Sequence, residues 1–465
     1  MQRFVLSLII LLIANCLVAQ KDNRLAKGLL PIEQVTAERM PPQDNEALLS
    51  EELARRGPGV APRYATNISV DFTPETHGVW ESTPEVMVWR LRIHSPSAHS
   101  LNLGFTEYFM PRGGQLLLYT PDYKEVRGPF TPADNEDHEQ LWTPLLFGEE
   151  IVIEVQLPAE RAHELRLKLS YVNHAFENFS ALISGSCNLD VICDAADGWG
   201  IVDPHRDIIQ SVAVISTGGG TFCTGFLVNN VENDCRPFFM TANHCGINSG
   251  NAPSLVTYWN FQNSTCRQPF SSASGGPGDG QLNDFNTGSI FRASRSQSDF
   301  VLVELDDPVS PTANAYLAGW DASAAAISNA IAVHHPRTDE KRISFENDPT
   351  QFTTYGSSTP TSNFTHVRVV DWDVGTTEPG SSGSPLFDQD ERVVGQLHGG
   401  GAACGNNQSD WYGAFAVSWD AGGSASSRLR DWLDPNNTGI LTIDGRWAKV
   451  CGLNDSTASV NQEVC

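Results

Sequence analysis

Gly380-Ser381-Ser382-Gly383-Ser384-Pro385 sets a serine, Ser382, on a turn that is flanked by glycines and closed by a proline. Glycine tolerates backbone dihedrals that other residues avoid, so the amides of Gly380 and Ser382 are expected to converge on one point. Two converging amides stabilise the oxyanion that forms when a hydroxyl attacks a carbonyl. Glycine and serine are also common in ordinary loops, so this interpretation depends on residues elsewhere in the chain.

Two upstream segments supply the partners that such a serine needs. The first is Thr241-Ala242-Asn243-His244-Cys245, and the second is Ser298-Asp299 at the start of an alternating apolar strand. A serine hydroxyl is a poor nucleophile unless a base takes its proton and an acid orients that base. We therefore predict that His244 is the general base, that Asp299 orients it, and that Ser382 is the nucleophile. These signatures, in this order, resemble those of the chymotrypsin-like serine peptidases.

The chain from Ser184 onward has the composition of an all-β protein. Apolar runs such as 209–216, 222–228 and 238–241 are separated by frequent turn residues, which favours barrels over βαβ units. Only residues 426–433 indicate a helix, which Pro435 ends. The resemblance implies a double β-barrel with a short C-terminal helix, with His244 and Asp299 in the first barrel and Ser382 in the second.

The N-terminal half is predicted to contain a separate small domain. Residues 63–181 show several alternating strands, among them 89–93 and 101–105, which is typical of a β-sandwich. We expect this pro-domain to act as a folding chaperone and inhibitor of the peptidase, or alternatively as a binding module. Residues 20–62 are polar and rich in proline, so we interpret them as a pro-segment or linker without a core. A single helix is predicted at 45–56, with Asn45 as its cap.

Residues 1–19 indicate a signal peptide and hence a secreted, extracellular bacterial protein. Arg3 provides the positive charge, residues 5–18 the apolar run, and Ala19 a small residue before the cleavage point. A lipoprotein signal through Cys16 is the alternative, although Asn15 fits that pattern poorly. The apolar run is too short to span a membrane comfortably, and no other span is predicted.

The net charge of −25, from 30 basic and 55 acidic residues, argues against nucleic acid and anionic membranes as partners. The expected partners are protein or peptide substrates, and the negative field favours basic ones. The sequence has no His-Glu-x-x-His string, and His334 and His335 lack suitably spaced partners, so both are expected to be structural. We therefore predict no metal and no organic cofactor.

A closer resemblance, to the secreted bacterial lysyl endopeptidases, covers roughly residues 184–445. It defines a peptidase domain at 182–447 and leaves a cysteine-containing tail at 448–465. The motifs that carry it are Ser184-Gly185-Ser186-Cys187-Asn188-Leu189-Asp190-Val191, Tyr258-Trp259-Asn260, Asn263-Ser264-Thr265-Cys266, His334-His335-Pro336, Glu340-Lys341-Arg342-Ile343-Ser344, Thr377-Glu378-Pro379, Gly395-Gln396-Leu397-His398-Gly399-Gly400 and Asp431-Trp432-Leu433-Asp434-Pro435.

This resemblance also bears on the cysteines, which should pair after export. Loss of Cys16 with the signal peptide leaves nine of the ten. The family pattern implies the bridges Cys187–Cys404, Cys193–Cys266 and Cys223–Cys245. Cys235, Cys451 and Cys465 lie outside that pattern, and either a bridge from the tail to Cys235 or a Cys451–Cys465 loop fits the sequence.

The resemblance implies that this peptidase cleaves after lysine. Trypsin-like relatives carry an acid six residues before the nucleophile, where this chain has Thr376. The lysyl endopeptidases use an aspartate from a later loop, and the matching residue is Asp410. His398 is expected to line the cleft beside an aromatic, for which Tyr355 is the candidate, and Gly399 and Gly400 are expected to accommodate the substrate backbone.

Alternatives remain at this stage. The specificity could extend to arginine, or the chain could be a silent binding protein on a peptidase fold. Residues 172–186 contain neither lysine nor arginine, so the chain does not present the self-cleavage site of a lysine-specific enzyme at the start of its peptidase domain. Another protease could make the cut, self-processing could use another site, or the N-terminal domain could stay attached. No Ile-Val-Gly-Gly start is present either, which argues against activation by insertion of a new N-terminus.

Overall fold

The fold is taken from a computed structural model, which describes residues 26–57, 59–84, 86–179 and 182–449. The predicted signal peptide, Cys451 and Cys465 lie outside the described residues. We call residues 26–179 the N-terminal region and residues 182–449 the C-terminal region. Strands dominate both regions and the helices are short, so the all-β class predicted from the sequence is confirmed.

The N-terminal region is built from two sheets. Its strands are β1 (Ala37–Arg39), β2 (Ala65–Phe72), β3 (Val79–Ser82), β4 (Met87–His94), β5 (Ser100–Phe109), β6 (Gln115–Tyr119), β7 (Val126–Phe130), β8 (Leu141–Trp142), β9 (Leu146–Phe147), β10 (Glu150–Leu157) and β11 (Arg166–Ala175). One sheet has the order β1-β4-β10-β6-β7 with β3 beside β4, and the other has the order β2-β11-β5-β8 with β9 beside β5.

The main apolar core of this region lies between the two sheets. Alternate residues of β4, such as Trp89, Leu91 and Ile93, are buried there with Leu103 and Phe105 of β5. Alternation at a period of two directs these side chains to one face of each sheet. Complete burial of such a side chain contributes about 1.5–3 kcal/mol, so this core alone can hold the two sheets together.

The segment 26–57 differs from the prediction in two ways. Ile32, Val35 and Met40 are buried, and β1 pairs in parallel with β4, so the expectation of a linker without a core is wrong here. Three isolated apolar residues among prolines carry no periodic signal, which is why the sequence did not reveal them. The helix α1 (Asn45–Arg55) is present, but its cap is Asp44, whose side chain accepts a hydrogen bond from the amide of Ala47.

The C-terminal region contains two further sheets. Its strands are β12 (Leu189–Asp190), β13 (Val212–Thr217), β14 (Thr221–Leu227), β15 (Phe238–Ala242), β16 (Val256–Trp259), β17 (Asp284–Thr287), β18 (Ser289–Arg295), β19 (Phe300–Leu305), β20 (Tyr316–Leu317), β21 (Trp320–Asp321), β22 (Ala330–His334), β23 (Arg342–Glu346), β24 (Gln351–Thr353), β25 (His366–Val369), β26 (Pro385–Phe387), β27 (Val393–Gly400), β28 (Asp410–Ala414), β29 (Thr442–Ile443) and β30 (Arg446–Trp447).

The first of these sheets has the order β17-β16-β13-β14-β15-β19-β18, and the second runs β12-β23-β22-β26-β27-β28-β25-β24, with β21 and β29 alongside. Strands β20 and β30 form a separate pair. Neighbouring strands are almost all antiparallel, and each sheet contributes to its own apolar cluster. A larger cluster joins residues of both sheets, which fixes the two halves against each other.

Helices are minor elements of this region. They are α2 (Arg206–Ile209), α3 (Phe415–Asp420) and α4 (Arg430–Leu433). The predicted helix at 426–433 is only partly present, because a 3-10 turn at Ala425–Ser427 and an extended Arg428 precede α4. Single 3-10 turns also occur at Ile32–Gln34, Pro132–Asp134, Ala159–Glu164, Ala195–Asp197, Asp203–His205, Asn243–Cys245, Ala252–Ser254, Pro311–Ala313 and Pro336–Thr338. Within the described residues, no helix has the length and apolar character that a membrane crossing requires.

Three disulfides join distant parts of the C-terminal region, and they are the three pairs that the family resemblance implies: Cys187–Cys404, Cys193–Cys266 and Cys223–Cys245. Cys235 is also disulfide-bonded. Cys451 and Cys465, the other two cysteines outside the family pattern, lie outside the described residues.

Candidate active site

The pairing of β15 with β19 brings His244 and Asp299 together. Ala242 lies opposite Phe300 in this antiparallel pair. Asp299, just before β19, therefore lies beside His244 in the turn just after β15. The Nδ1 atom of His244 lies 2.7 Å from Oδ2 of Asp299, and the His244 amide donates to Oδ1 at 2.9 Å. Asp299 is 2 % exposed. The carboxylate therefore fixes both the position of the ring and the tautomer that has its proton on Nδ1.

Asp299 itself has a left-handed backbone, with φ of 53°. Aspartate adopts this conformation more readily than most residues. The turn is secured from both sides, because its carbonyl accepts from the amide of Asn243 at 2.8 Å and the preceding carbonyl of Ser298 accepts from Nε2 of Gln396 at 2.7 Å. The second contact comes from β27, so both sheets of the C-terminal region hold this aspartate in place.

The serine turn is held by β14 of the other sheet. The hydroxyl of Thr224 donates to the carbonyl of Gly380 at 2.8 Å, and the Thr224 amide donates to the carbonyl of Ser382 at 2.9 Å. Gly383 has φ of 84°, and a Cβ atom there would lie 2.2 Å from Oγ1 of Thr241. Residue 383 therefore has to be glycine both for its backbone conformation and for the close approach of the two sheets.

Three polar groups at this junction have no partner among the described residues. The amides of Gly380 and Ser382 donate to no acceptor there. Nε2 of His244 is buried and accepts no hydrogen bond from the described part of the chain. The two turns are adjacent, since Sγ of Cys245 lies 3.9 Å from the carbonyl oxygen of Ser382. Unsatisfied buried groups are costly and rare, and they mark places where a reacting group can bind.

Asp410 lies beneath Gly400, its partner across the β27–β28 pair. The carboxylate is 1 % exposed. Oδ2 accepts from Nε1 of Trp372 at 2.8 Å and from the hydroxyl of Thr377 at 2.7 Å, whereas Oδ1 is buried with no hydrogen bond in normal geometry from the described residues. Burial raises the pKa of Asp410, and the donors around the carboxylate, which include the backbone of Ala402, act against that rise.

A stack of aromatic rings lies beside the histidine. Tyr355 stacks on His398 with centroids 3.8 Å apart and an interplanar angle of 14°, and His398 stacks on His244 at 5.6 Å. Nε2 of His366 lies 2.9 Å from Nδ1 of His398. Burial lowers the pKa of His398 and lowers that of His366 to about 3, so both rings are neutral near pH 7.

Metal binding is a poor description of this cluster. Single ligand atoms of His244, Asp299 and His398 lie within 4.8 Å of one another. The 2.7 Å between His244 and Asp299 is a hydrogen-bond distance. It is shorter than the separation of roughly 3.3 Å that two ligands of one tetrahedral zinc would have.

The two histidines that were expected to be structural are fully buried. Nδ1 of His334 lies 2.9 Å from the hydroxyl of Ser381, and its Nε2 lies 3.0 Å from that of Ser344. Burial lowers the pKa of His334 to about 3 and holds that of His335 well below its usual value. Neutral His334 thus supports the serine turn from behind.

Residues 59–63 of the N-terminal region, which we call the cleft segment, lie against this site. A side chain at Gly59 would come within 3.4 Å of Nε2 of His398 and 4.0 Å of the Tyr355 hydroxyl. The carbonyl of Pro62 accepts from the amide of Phe222 at 3.1 Å, and Arg63 forms an antiparallel bridge with Thr221. Ala61 packs in the same cluster as Cys223 and Cys245.

Sequence reasoning missed several residues of this site. Trp372 and His366 are single residues in unremarkable segments, and nothing in their spacing links them to Asp410 or His398. Thr377 was noted within a motif, but its contact with Asp410 was not foreseen. The cleft segment was interpreted as linker, because proline and glycine indicate irregular backbone whatever that backbone touches.

Part of the chain is similar to a known family of proteins. Residues 183–413 match the family described as "Lysyl endopeptidase, C-terminal domain". The lysyl endopeptidase of Pseudomonas aeruginosa is 28% identical over 297 residues, which cover 59% of this chain. The chain spans 61% of the length of that relative.

Solved structures with low similarity include several proteases. The active form of a protease from M. tuberculosis is 15% identical with a TM-score of 0.30, over 54% of this chain and 92% of the other. A Glu endopeptidase is 17% identical with a TM-score of 0.28, over 44% and 85%. Scores at this level do not establish a common fold, which here follows from the strand order and the family match. Residues 183–413 of this chain belong to the lysyl endopeptidase family, whose members have the chymotrypsin-like serine peptidase fold.

Proposed function

We propose that this protein is a serine endopeptidase that hydrolyses peptide bonds on the C-terminal side of lysine. The observation that carries the proposal is the imidazole of His244, held by Asp299 at 2.7 Å. Its other nitrogen is buried beside the Ser382 turn and has no hydrogen-bond partner in the part of the chain that the structure describes. A histidine in this state is prepared to accept a proton.

The reaction follows from these positions. Nε2 of His244 takes the proton of the Ser382 hydroxyl while the oxygen of that hydroxyl attacks the substrate carbonyl. The amides of Gly380 and Ser382, which have no acceptor in the described part of the chain, donate to the oxyanion that forms. His244 then gives the proton to the leaving amine, and water repeats the sequence to release the acyl group from Ser382.

Asp410 is the group that recognises the substrate side chain. A buried carboxylate binds a cation strongly because the pair lies outside water, and an apolar side chain would leave it unpaired. Thr376, at the position where trypsin-like relatives carry an acid, offers no charge. His398 and Tyr355 form a wall of the cleft, and Gly399 and Gly400 leave room for the backbone of the substrate.

The N-terminal region acts as the inhibitor of this peptidase and as a folding aid. The cleft segment approaches both the wall at His398 and the strand at Phe222, where an extended peptide substrate would lie. Arg63 forms a single antiparallel bridge with Thr221, so the segment pairs with the start of β14, which β15 leaves uncovered. A substrate has to displace it.

Export fits the chemistry of the chain. The three disulfides require an oxidising compartment. Residues 1–19 have the pattern of a signal peptide. The protein is therefore proposed to be secreted by a bacterium as a precursor.

Hydrolysis of matched peptides with Lys, Arg or Leu before the scissile bond tests the function, with the protein produced as the full chain and allowed any processing that it undergoes. Cleavage after Lys that disappears in Ser382→Ala and His244→Ala supports the proposal. Equal rates after Lys and Arg would keep the peptidase but widen its specificity. Silence in every case, with the N-terminal region removed from the cleft, would instead favour a binding protein on a peptidase fold.

A further inference from the structure

We propose that Thr377 and Trp372 are specificity-determining residues, because by donating to Oδ2 of Asp410 they leave a single oxygen, Oδ1, for the substrate and so favour an ammonium over a guanidinium. This inference rests on the proposed function and explains how one carboxylate selects lysine against arginine.

The hydrogen bonds of Asp410 are divided unevenly between its two oxygens. An ionised carboxylate offers about four acceptor sites, two on each oxygen. Both sites on Oδ2 are filled, by the indole N–H of Trp372 at 2.8 Å and the hydroxyl of Thr377 at 2.7 Å. Oδ1 is buried and accepts no hydrogen bond in normal geometry from the described residues, and the nearby backbone of Ala402 acts on the carboxylate only through its effect on the pKa. The pocket therefore presents one oxygen and not a pair.

This single oxygen discriminates between the two basic side chains. A guanidinium gains most when its planar fork meets both oxygens of a carboxylate. Here it can reach only Oδ1, and most of its five N–H groups would be buried without acceptors. An ammonium is a compact charge with three donors, and it leaves fewer of them unsatisfied. Each buried donor without a partner is costly, so the guanidinium loses more than the ammonium.

Residue 400 has to be glycine for Oδ1 to occupy this position. A Cβ atom at Gly400 would lie 2.3 Å from Oδ1. On the proposed function the substrate ammonium meets Oδ1 beside Gly400, whereas Trp372 and Thr377 occupy Oδ2. The three residues together define the shape of the charged end of the pocket.

Two variants remove one donor each: Thr377→Val, which keeps the shape of the side chain, and Trp372→Phe, which also makes the ring smaller and is therefore compared with a Trp→Phe control. Matched controls remove the same groups at positions away from Asp410. Thr257→Val removes the hydroxyl of a buried threonine in β16, and Trp432→Phe removes an indole N–H that donates to the carbonyl of Ala425 at 2.7 Å.

The measurement is kcat/KM for matched Lys and Arg peptides at pH 8, using the full chain after any processing. We expect Thr377→Val and Trp372→Phe each to lower the Lys-to-Arg ratio about tenfold, which corresponds to about 1.4 kcal/mol. The two controls should keep the ratio of the unmodified protein. If kcat/KM fell by the same factor for the Lys and the Arg peptide, the two residues would have a structural role only, and the inference would be overturned.

Binding in a Ser382→Ala background separates this inference from the proposed function. Calorimetry with acetylated dipeptides that end in lysine or arginine should show the same change of ratio in the two variants. If hydrolysis does not depend on Ser382, the peptidase proposal fails, and these binding ratios then decide the inference by themselves. An unmodified protein that shows no preference between lysine and arginine would overturn it.

Discussion

The amide of Phe222 donates a 3.1 Å hydrogen bond to the carbonyl oxygen of Pro62. This bond links β14, beside the cleft, to the N-terminal region. Phe222 directly precedes Cys223, whose disulfide partner Cys245 follows His244. The contact therefore lies next to the proposed catalytic histidine. Under the proposed function, the placement of residues 59–63 controls access to the site.

Glu52 anchors that segment, so Glu52→Gln should activate the unprocessed chain. Its side chain is fully buried and pairs with Arg55, Arg56 and Arg63. Breaking a buried charge cluster costs about 3–5 kcal/mol, so the closed arrangement should weaken markedly. We expect peptide hydrolysis by an uncleaved full chain to rise at least about tenfold.

The matched control for this variant is Glu51→Gln. Glu51 also pairs with Arg63, at 2.8 Å, but its side chain is 65% exposed. Exposed pairs contribute about 0–1 kcal/mol, so the control should behave like the unmodified chain. Equal activity of both variants and the unmodified chain would show that the segment does not limit access.

Asp410→Asn should remove the preference for lysine. The amide keeps the shape of the side chain but no longer offers a charge to the substrate ammonium. Loss of a buried charge partner costs about 2–5 kcal/mol, so kcat/KM for a Lys peptide should fall at least about thirtyfold while a Leu peptide is little affected. Asp390→Asn, at an exposed position, serves as the control. Unchanged Lys hydrolysis by Asp410→Asn would remove Asp410 from the binding site.

A cluster of acids between the two regions should make their contact sensitive to pH. Asp134, Glu136 and His138 of the N-terminal region meet Asp306 and Asp307 of the C-terminal region. Burial first, and then the charges of Asp306, Asp134 and Glu136, raise the pKa of Asp307 to about 7. Nε2 of His138 lies 2.9 Å from Oδ2 of Asp306, and the charge that His138 carries when protonated acts against the rise in the pKa of Asp307.

The direction of this pH dependence follows from the raised pKa of Asp307. The protonated form of Asp307 is favoured in the folded contact, so its contribution is present at low pH and is lost as the pH rises toward about 7. We expect a higher Tm and slower release of the N-terminal region at pH 5 than at pH 8. Asp307→Asn should remove most of this difference. A difference that is the same in Asp307→Asn would assign the effect to other groups.

The sequence predicted the fold class because the apolar pattern of most strands matches the pairing of those strands in the sheets. It also predicted that His244, Asp299 and Ser382 belong to one site, because each lies in a short motif with its own turn chemistry. The register of Ala242 with Phe300 then brings His244 and Asp299 together. Their catalytic roles stay a prediction.

What could not be predicted are contacts made by residues without a local pattern. Trp372 meets Asp410 only because β25 pairs with β28, with Val369 opposite Asp410, and the chain turns back over that pair. Gly59 lies against His398, although 339 positions of sequence separate the two residues. The N-terminal cap of α1 could not be predicted either, although it is a local feature. Asp44 and Asn45 are both good caps, and the structure uses Asp44.

The central claim is that His244 activates Ser382, and labelling with a fluorophosphonate tests it most directly. The reagent forms a covalent bond with an activated serine and releases fluoride, and mass spectrometry then locates the added group. The account predicts one label per chain, on Ser382, with labelling slowed by orders of magnitude in His244→Ala and abolished in Ser382→Ala. A label on another residue, or equal labelling of Ser382→Ala, would contradict it.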